Sequence, residues 1–515
     1  MQQHTNTHRR LARGTRPFHW LLALISTLCL SCHTGTHPSA LLITIDTLRP
    51  DRLSCYGYTA QKTPGIDTLA AQGVLFEDSV CDVPWTTSSM ASVMTGTYAT
   101  QHGLRRNTQR LPATANTLAE MLKQYGYQTA AIIGSFPLAS LYGLNQGFDV
   151  YDEDLTQPIL LESGKPPQTP PKVPAPVDRN DPAVMAKWSD DKVRNDGYRP
   201  DAEVTDHAIA WLRAHQGVPF LLWVHYFGPH ERLVDDYVAS HQEPRIIAEY
   251  DKDLQTTDAA VDRLLAAVRD LGLEKQLLVV LHADHGQSLG QHGYVGHGKG
   301  LSDSSLRVPL LVRFPGHIHP GTRVSQTVRN VDILPTITDE LGLPVPSDLD
   351  GRSLVAAIQG QLLRPVAAYA ETYVTQSTLW PIALPDGPMV LGPMTRHAIR
   401  TARWKLVENR LSAPCVKGTV PYRSTQLEDL DVWHLQDESP IPPADCDHLR
   451  VRELYDLVAD PGELSNVAAT HAAVTEQLAA MLDTMMTRKP NRQKVTLSPR
   501  DQERLRRLGY DPHDE

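Results

Sequence analysis

Two aspartates and one histidine could hold a metal ion. Asp46 ends the apolar run 41–45 (LLITI), and Asp284 and His285 follow the apolar run 277–281 (LLVVL) in the string HADHG. Two carboxylates and an imidazole suit a hard or borderline divalent cation such as Ca²⁺, Mg²⁺, Mn²⁺ or Zn²⁺. An aspartate after a strand often does no more than cap the next helix, but a second ligand type and several glycines meet at Asp284. A second constellation is 84–96 (PWTTSSMASVMTG), where a hydroxyl cluster leads into a small-residue stretch of helical character. Free N–H groups at a helix start favour an oxyanion, so a hydroxyl there could attack a bound phosphate or sulfate. The plainer reading is a capping cluster. His230 follows another apolar run in HYFGPHE, and His297 and Lys299 lie in GHGKG. They suit a general acid at a leaving oxygen and a cation on the anion's oxygens. His225, His282 and His292 could build a second metal site, although taken alone any of these histidines is more often a packed or surface group.

The elements that must position these residues are legible in outline. Runs 41–45, 129–134, 220–226, 277–281 and 310–314 read as buried strands. Residues 117–125 and 251–271 have the spacing of amphipathic helices. Strands alternating with helices imply an α/β fold with a mostly parallel sheet covered on both faces. In such sheets ligands sit beyond the carboxyl ends of strands, where Asp46 and Asp284 both fall. Residues 155–200 are Pro-rich and polar and read as a surface insertion. After about residue 365 the pattern changes to short strands with turns. Residues 398–407 suggest a hairpin and 475–486 a closing helix. No internal repeat is present.

The 515 residues carry a net charge of −10, and no basic run follows residue 16, which argues against a nucleic-acid partner. The N-terminus has a basic segment (Arg9, Arg10, Arg13, Arg16) followed by the short apolar stretch 20–30. That is the layout of a secretion signal and is short for a membrane span. Ser31-Cys32 then resembles a bacterial lipobox, with Cys29 where Leu is usual. Lipidation of Cys32, simple cleavage and an uncleaved anchor all remain open. The expectation is an exported protein, in the periplasm or on the outer membrane of a bacterium, touching membrane only through that lipid. Of six cysteines, Cys55, Cys81, Cys415 and Cys446 lie beyond the signal. Three pairings are open to them, with Cys415 and Cys446 flanking one insertion.

Six ordered segments resemble the sulfatase family of the alkaline phosphatase superfamily: ITIDTLRPDRLSCYGY, TPGIDTLAAQGVLFEDSV, MTGTYATQHG, ADHGQSLGQHG with RVPLLVRFPG, VDILPTITDELGLPVP and ELYDLVADPGELSNVA. The resemblance spans about residues 40–490. It implies an alkaline-phosphatase-like fold, with a large mixed, mostly parallel sheet between helices and a smaller C-terminal α+β subdomain carrying a four-stranded sheet and a helix. The expected boundaries are a signal at 1–32, a catalytic domain at 39–365, a C-terminal subdomain at 366–490 and a tail at 491–515. By position Asp46, Asp284 and His285, with Thr86, match ligands of one divalent metal. Ca²⁺ is implied by the family, with Mn²⁺ or Zn²⁺ as alternatives. Asn107 matches a substrate-binding residue and His230 a catalytic or sulfate-binding one. His297 falls where many members have Lys, a role Lys299 need not assume.

The departures bear on the chemistry. Counting back from Thr95-Gly96 puts Thr86 at the nucleophile, Ser88 at a usual Pro and Met90 at a usual Arg. Family members oxidise a Cys or Ser there to formylglycine. Threonine cannot yield an aldehyde, so no formylglycine is expected. Thr47 also replaces a second carboxylate. Nucleotide pyrophosphatase/phosphodiesterases and phosphoethanolamine transferases are similar in using Thr. The expectation is therefore a metal-dependent ester hydrolase with Thr86 as nucleophile and phosphoryl esters favoured over sulfate. The alternatives are a sulfatase working without formylglycine and a catalytically silent, envelope-anchored binding protein of the same fold. Glycans, lipid head groups and small molecules all remain open as the ester substrate.

Overall fold

The computed structural model describes residues 37–106, 109–155, 197–230, 243–374, 382–383, 389–412, 414–418, 421–423, 433–435, 439–487 and 493–507. Residues 1–36 with the expected signal and Cys32, most of the Pro-rich segment 155–200 and Asn107 lie outside them.

Alternation along strand β1 (Ser39–Ile45) shows how the core is divided. Leu41, Ile43 and Ile45 face one apolar cluster, and Ala40 and Leu42 face another. Such a strand is hydrophobic on both sides because helices cover both faces of its sheet. The sheet is built from β1, β2 (Val74–Val80), β3 (Gln128–Ile133), β4 (Val150–Asp152), β5 (Phe220–Tyr226), β6 (Leu277–Ala283), β7 (Arg307–Arg313), β8 (Thr322–Val324) and β9 (Val328–Arg329). Its order is β8-β2-β7-β6-β1-β5-β3-β4, with β9 also on β2. Only β7 runs antiparallel to its neighbours β2 and β6. Helices α1 (Pro64–Gln72), α4 (Asp201–Ala214) and α5 (Glu243–Asp270) pack on one face. Helices α2 (Thr86–Thr95), α3 (Leu118–Gln124) and α6 (Ile333–Glu340) pack on the other. The long helix begins eight residues earlier than its apolar spacing suggested, because Ile246 and Tyr250 extend its buried stripe.

A second sheet of four antiparallel strands is ordered β10 (Ala368–Val374), β11 (Met394–Arg400), β12 (Trp404–Leu411), β13 (Arg450–Asp456). Helix α7 (Ala472–Met486) covers one face through Leu478, Ala479 and Leu482. On the other face Ala368, Ala370, Ala398 and Val407 join the core of the large sheet. Buried charges fix this docking. Arg400 bridges Asp78 at 2.9 Å and Asp303 at 2.8 Å, and the fully buried Lys405 reaches Asp303 at 2.9 Å. Cys415 and Cys446 form a disulfide, while Cys55 and Cys81 are free thiols.

The C-terminal residues expected to be a tail include a packed segment. Gln493–Lys494 pairs with Gln109–Arg110, and α8 (Pro499–Arg507) buries Leu505 beside Phe136 and Tyr142. A single leucine in nine residues was too sparse to show as a periodic stripe.

Candidate active site

The register of the central sheet brings the two aspartates together. Strands β1 and β6 are adjacent and parallel, with Ile45 opposite Ala283, so Asp46 and Asp284 leave the sheet side by side. Both are fully buried, as is His285, and donor atoms of the three lie within 4.8 Å of one another. His285 Nδ1 stands 2.9 Å from the Gly286 carbonyl. A carbonyl can only accept, so Nδ1 carries the proton and the Nε2 lone pair faces the carboxylates. Nε2 is 3.8 Å from Asp46 Oδ1 and 3.7 Å from Asp284 Oδ2. Those two carboxylate oxygens are buried without a hydrogen-bond donor.

Burial, then the charge of Asp284, pushes the Asp46 carboxyl well above its ordinary range. Burial likewise raises Asp284 to about 6, against the opposing pull of His225 and of two backbone N–H groups. Burial lowers His285 to about 4, leaving it neutral. Two facing carboxylates with orphaned oxygens and one neutral imidazole are the donor set a divalent cation stabilises. The residues present therefore fit a metal ion. Backbone shape contributes as well. Thr47 is held at φ 55°, an uncommon conformation for a β-branched residue, and its N–H donates to Asp284 Oδ1 at 3.1 Å. Gly286 leaves no room for a side chain, since a Cβ would lie 2.2 Å from the Ser304 carbonyl oxygen.

Thr86 is the first residue of α2, and no side chain of Trp85 caps that helix. Its Oγ1 lies 3.2 Å from His285 Nε2 and 3.5 Å from Asp46 Oδ2. A buried network fixes the helix behind it. Ser89 donates to the Asp284 carbonyl at 2.6 Å. Asn330 donates to Ser89 at 3.2 Å and to Asp82 Oδ1 at 2.7 Å. Ser92 donates to Asp82 Oδ2 at 2.6 Å. His102 receives the Leu104 N–H on Nδ1, so its Nε2 donates to Ser92 at 2.9 Å. The direction of that bond makes Ser92 a link in the network and no base-activated nucleophile. Burial pushes the Asp82 carboxyl up to about 7. Met90 is fully buried in the apolar cluster beneath α2, away from any charge-binding role.

His230 follows β5 through the tight Gly228 turn at φ +59°, whose N–H donates to Asp201 at 3.3 Å. Its Nε2 lies 3.1 Å from His297 Nε2. His297 Nδ1 is 3.3 Å from the Pro84 carbonyl, so that nitrogen donates and Nε2 accepts from His230. Burial, reinforced by neighbouring imidazoles, draws both rings well below the ordinary histidine range. The His297 ring centroid is 4.4 Å from that of His285. Thus Asp46, Asp284, His285, Thr86, His230 and His297 converge. Lys299 instead lines a separate cavity of about 90 Å³ with Tyr294, Arg396 and Glu453. His292 lines it too, and His282 is turned to the Pro309 carbonyl at 3.0 Å. His225 has a closer role. It bonds Thr44 at 2.8 Å and Ser135 at 3.3 Å, and its Nε2 faces Asp46 Oδ2 at 3.8 Å. Of His225, His282 and His292, read from the sequence as candidates for a second site, His225 is the one that faces Asp46.

Comparison with known proteins identifies the family and the fold. Residues 38–343 match the Sulfatase family, and residues 290–412 match the N-sulphoglucosamine sulphohydrolase C-terminal family. The chain is 24% identical to an N-acetylglucosamine-6-O-sulfatase of Bacteroides thetaiotaomicron, covering 87% of this chain and 86% of that protein. It is 27% identical to human Arylsulfatase A over 89% of each chain. The fold is shared with the phosphonate monoester hydrolase of Agrobacterium radiobacter, at a TM-score of 0.62, 21% identity and coverage of 87% and 95%. With the match to the family extending over more than half its length, the chain belongs to the sulfatase family and is an ester hydrolase.

Proposed function

We propose that this chain is a metal-dependent hydrolase in which Thr86 is the nucleophile and phosphorus esters are the preferred substrates. The observation that carries the reading is the seat of Thr86 Oγ1, at a helix start and within 3.5 Å of both His285 Nε2 and Asp46 Oδ2. Asp46, Asp284 and His285 would hold the cation. When bound, a divalent cation lowers the pKa of a hydroxyl beside it and draws charge from ester oxygens. The opening N–H groups of α2 favour the anion. Thr86 Oγ attacks phosphorus in line, the leaving oxygen departs on the His230–His297 side, and water then cleaves the phosphothreonine ester. Phosphorus is preferred because an unmodified threonine has no second hydroxyl with which to expel a sulfate, whereas a phosphothreonine is open to attack by water.

Sulfate esters of glycans are the second reading, favoured by the relative that acts on N-acetylglucosamine 6-O-sulfate. Export fits both. The leader precedes a chain whose Cys415–Cys446 disulfide suits an oxidising compartment, with Cys32 as the site of a lipid anchor.

The test uses the chain without residues 1–32, with nitrophenyl phosphate, phosphodiester, phosphonate and sulfate substrates, and with Ca²⁺, Mn²⁺ and Zn²⁺ supplied separately. Turnover of a phosphorus ester that vanishes in Thr86→Ala is expected. Sulfate turnover alone would transfer the reading to sulfate esters. Activity that survives in Thr86→Ala would remove the nucleophile assignment.

A further inference from the structure

The loop that carries His297 is held from outside the large sheet. Thr372 lies on β10, the edge strand of the second sheet, and is fully buried. Ala368 and Ala370 on the same strand point into the core of the large sheet, and alternation aims Thr372 the same way. Its hydroxyl donates to the Gly298 carbonyl, one residue beyond His297, and accepts the Trp85 indole N–H at 3.2 Å. Arg396 stands opposite Thr372 on β11 and donates to the next carbonyl of the same loop, Lys299, at 3.3 Å. Asn409 at 2.7 Å and Glu453 at 3.2 Å fix that guanidinium. Two cross-strand neighbours thus grip two consecutive carbonyls.

Trp85 completes the grip from the other side. It immediately precedes Thr86, and its ring meets His297 edge-on, with centroids 5.3 Å apart at 82°. Gly298 is at φ +84°, and a Cβ there would lie 2.2 Å from the indole. The loop therefore presses on the tryptophan face, and His297 Nδ1 is left to donate to the Pro84 carbonyl. One hydroxyl ties together the segment that presents Thr86 and the segment that presents His297.

We infer that Thr372, supported by Arg396, is a positioning residue for His297, so that the second sheet is part of the catalytic apparatus. The inference rests on the reading of Thr86 and His297 given above. Threonine acts here through the loop, without touching substrate. Removing its hydroxyl takes the donor from the buried Gly298 carbonyl and one hydrogen bond from the Trp85 indole, and the loop relaxes away from Pro84. Displacement of a catalytic group by about 1 Å can cost on the order of 100-fold in rate.

The experiment compares Thr372→Val, Thr372→Ser, His297→Ala and the His297→Ala/Thr372→Val double variant of the purified protein. The substrates are methylphosphonate esters of dinitrophenol and of phenol. Thr372→Val should lower kcat for the phenyl ester by about tenfold or more, with a smaller loss on the dinitrophenyl ester and little change in KM. Thr372→Ser should restore it. On the His297→Ala background Thr372→Val should add nothing, since coupled groups are non-additive. Equal losses on both esters, or full additivity in the double variant, would overturn the inference. So would a Thr372→Val enzyme identical to wild type. Should Thr372→Val fail to fold, Arg396→Gln takes its place in the same cycle, with the same outcomes deciding. A wild-type protein inert on every ester would overturn the underlying reading instead, and the two failures are told apart by that control.

Discussion

At the scale of the residue, the site gathers two buried carboxyl groups and a neutral imidazole, a donor set that fits a cation. Asp284→Asn should abolish stoichiometric metal uptake, read by elemental analysis of the purified chain, and unchanged metal content would remove the metal assignment. His230→Ala should slow esters of poor leaving groups by about 100-fold and good ones much less. Equal losses would exclude a role at the leaving oxygen. Asp46, Asp284, His285, His230 and His297 were named from residue type and spacing, because ligands and acids come from a short list of side chains, and Thr86 was picked out of its hydroxyl cluster by the family resemblance. Thr372 was not named, and His225 was read only as a possible member of a second site with His282 and His292. His225 sits in an unbroken apolar run, and a threonine on an edge strand has no spacing relation to a loop more than 70 positions away.

At the scale of the element, helix α2 depends on the network behind it. Asn330→Ala would leave Asp82 and Ser89 short of a donor and should cost about 1–3 kcal/mol, measured by urea unfolding. Asp82 also gives a pH signature. Its carboxyl is raised to about 7 in the folded chain, because burial penalises the charged form. A raised carboxyl favours folding most below its unfolded value near 4, and that contribution is lost as pH rises toward 7. Asp82→Asn should therefore flatten the stability profile between about pH 4 and 7 relative to wild type. Parallel profiles would show that Asp82 is charged throughout. Strands and long helices were legible because both cores impose a period on the sequence. The helix at 499–507 was not, because Leu505 is its one aliphatic residue packed with Phe136 and Tyr142, and the Arg504 guanidinium lies over the Phe136 ring, 5.1 Å from its centroid.

At the scale of the whole molecule, the two sheets behave as one device, locked by Arg400, Asp303 and Lys405. The disulfide closes a separation of 31 residues and packs beside Met394, Leu411 and Val451 at the strand-end edge of the second sheet. Replacing both cysteines by serine should lower stability by about 2–4 kcal/mol in the chain-entropy account. Activity should persist, because neither cysteine touches the loops that present Thr86 or His297. Loss of activity in a variant that remains folded would show coupling from that edge to the site.

What the sequence alone determined was the α/β class, the family and a list of candidate site residues, since these rest on residue type, local period and motif order. Pairing across the sheet belongs to the tertiary structure. The register that places Ile45 beside Ala283 decides that Asp46 and Asp284 share a site. The docking of the second sheet decides what holds His297, and it places Lys299 in another cavity two residues away. Those outcomes depend on contacts between segments tens to hundreds of residues apart, where burial and hydrogen-bond satisfaction select the partner and local spacing has no bearing.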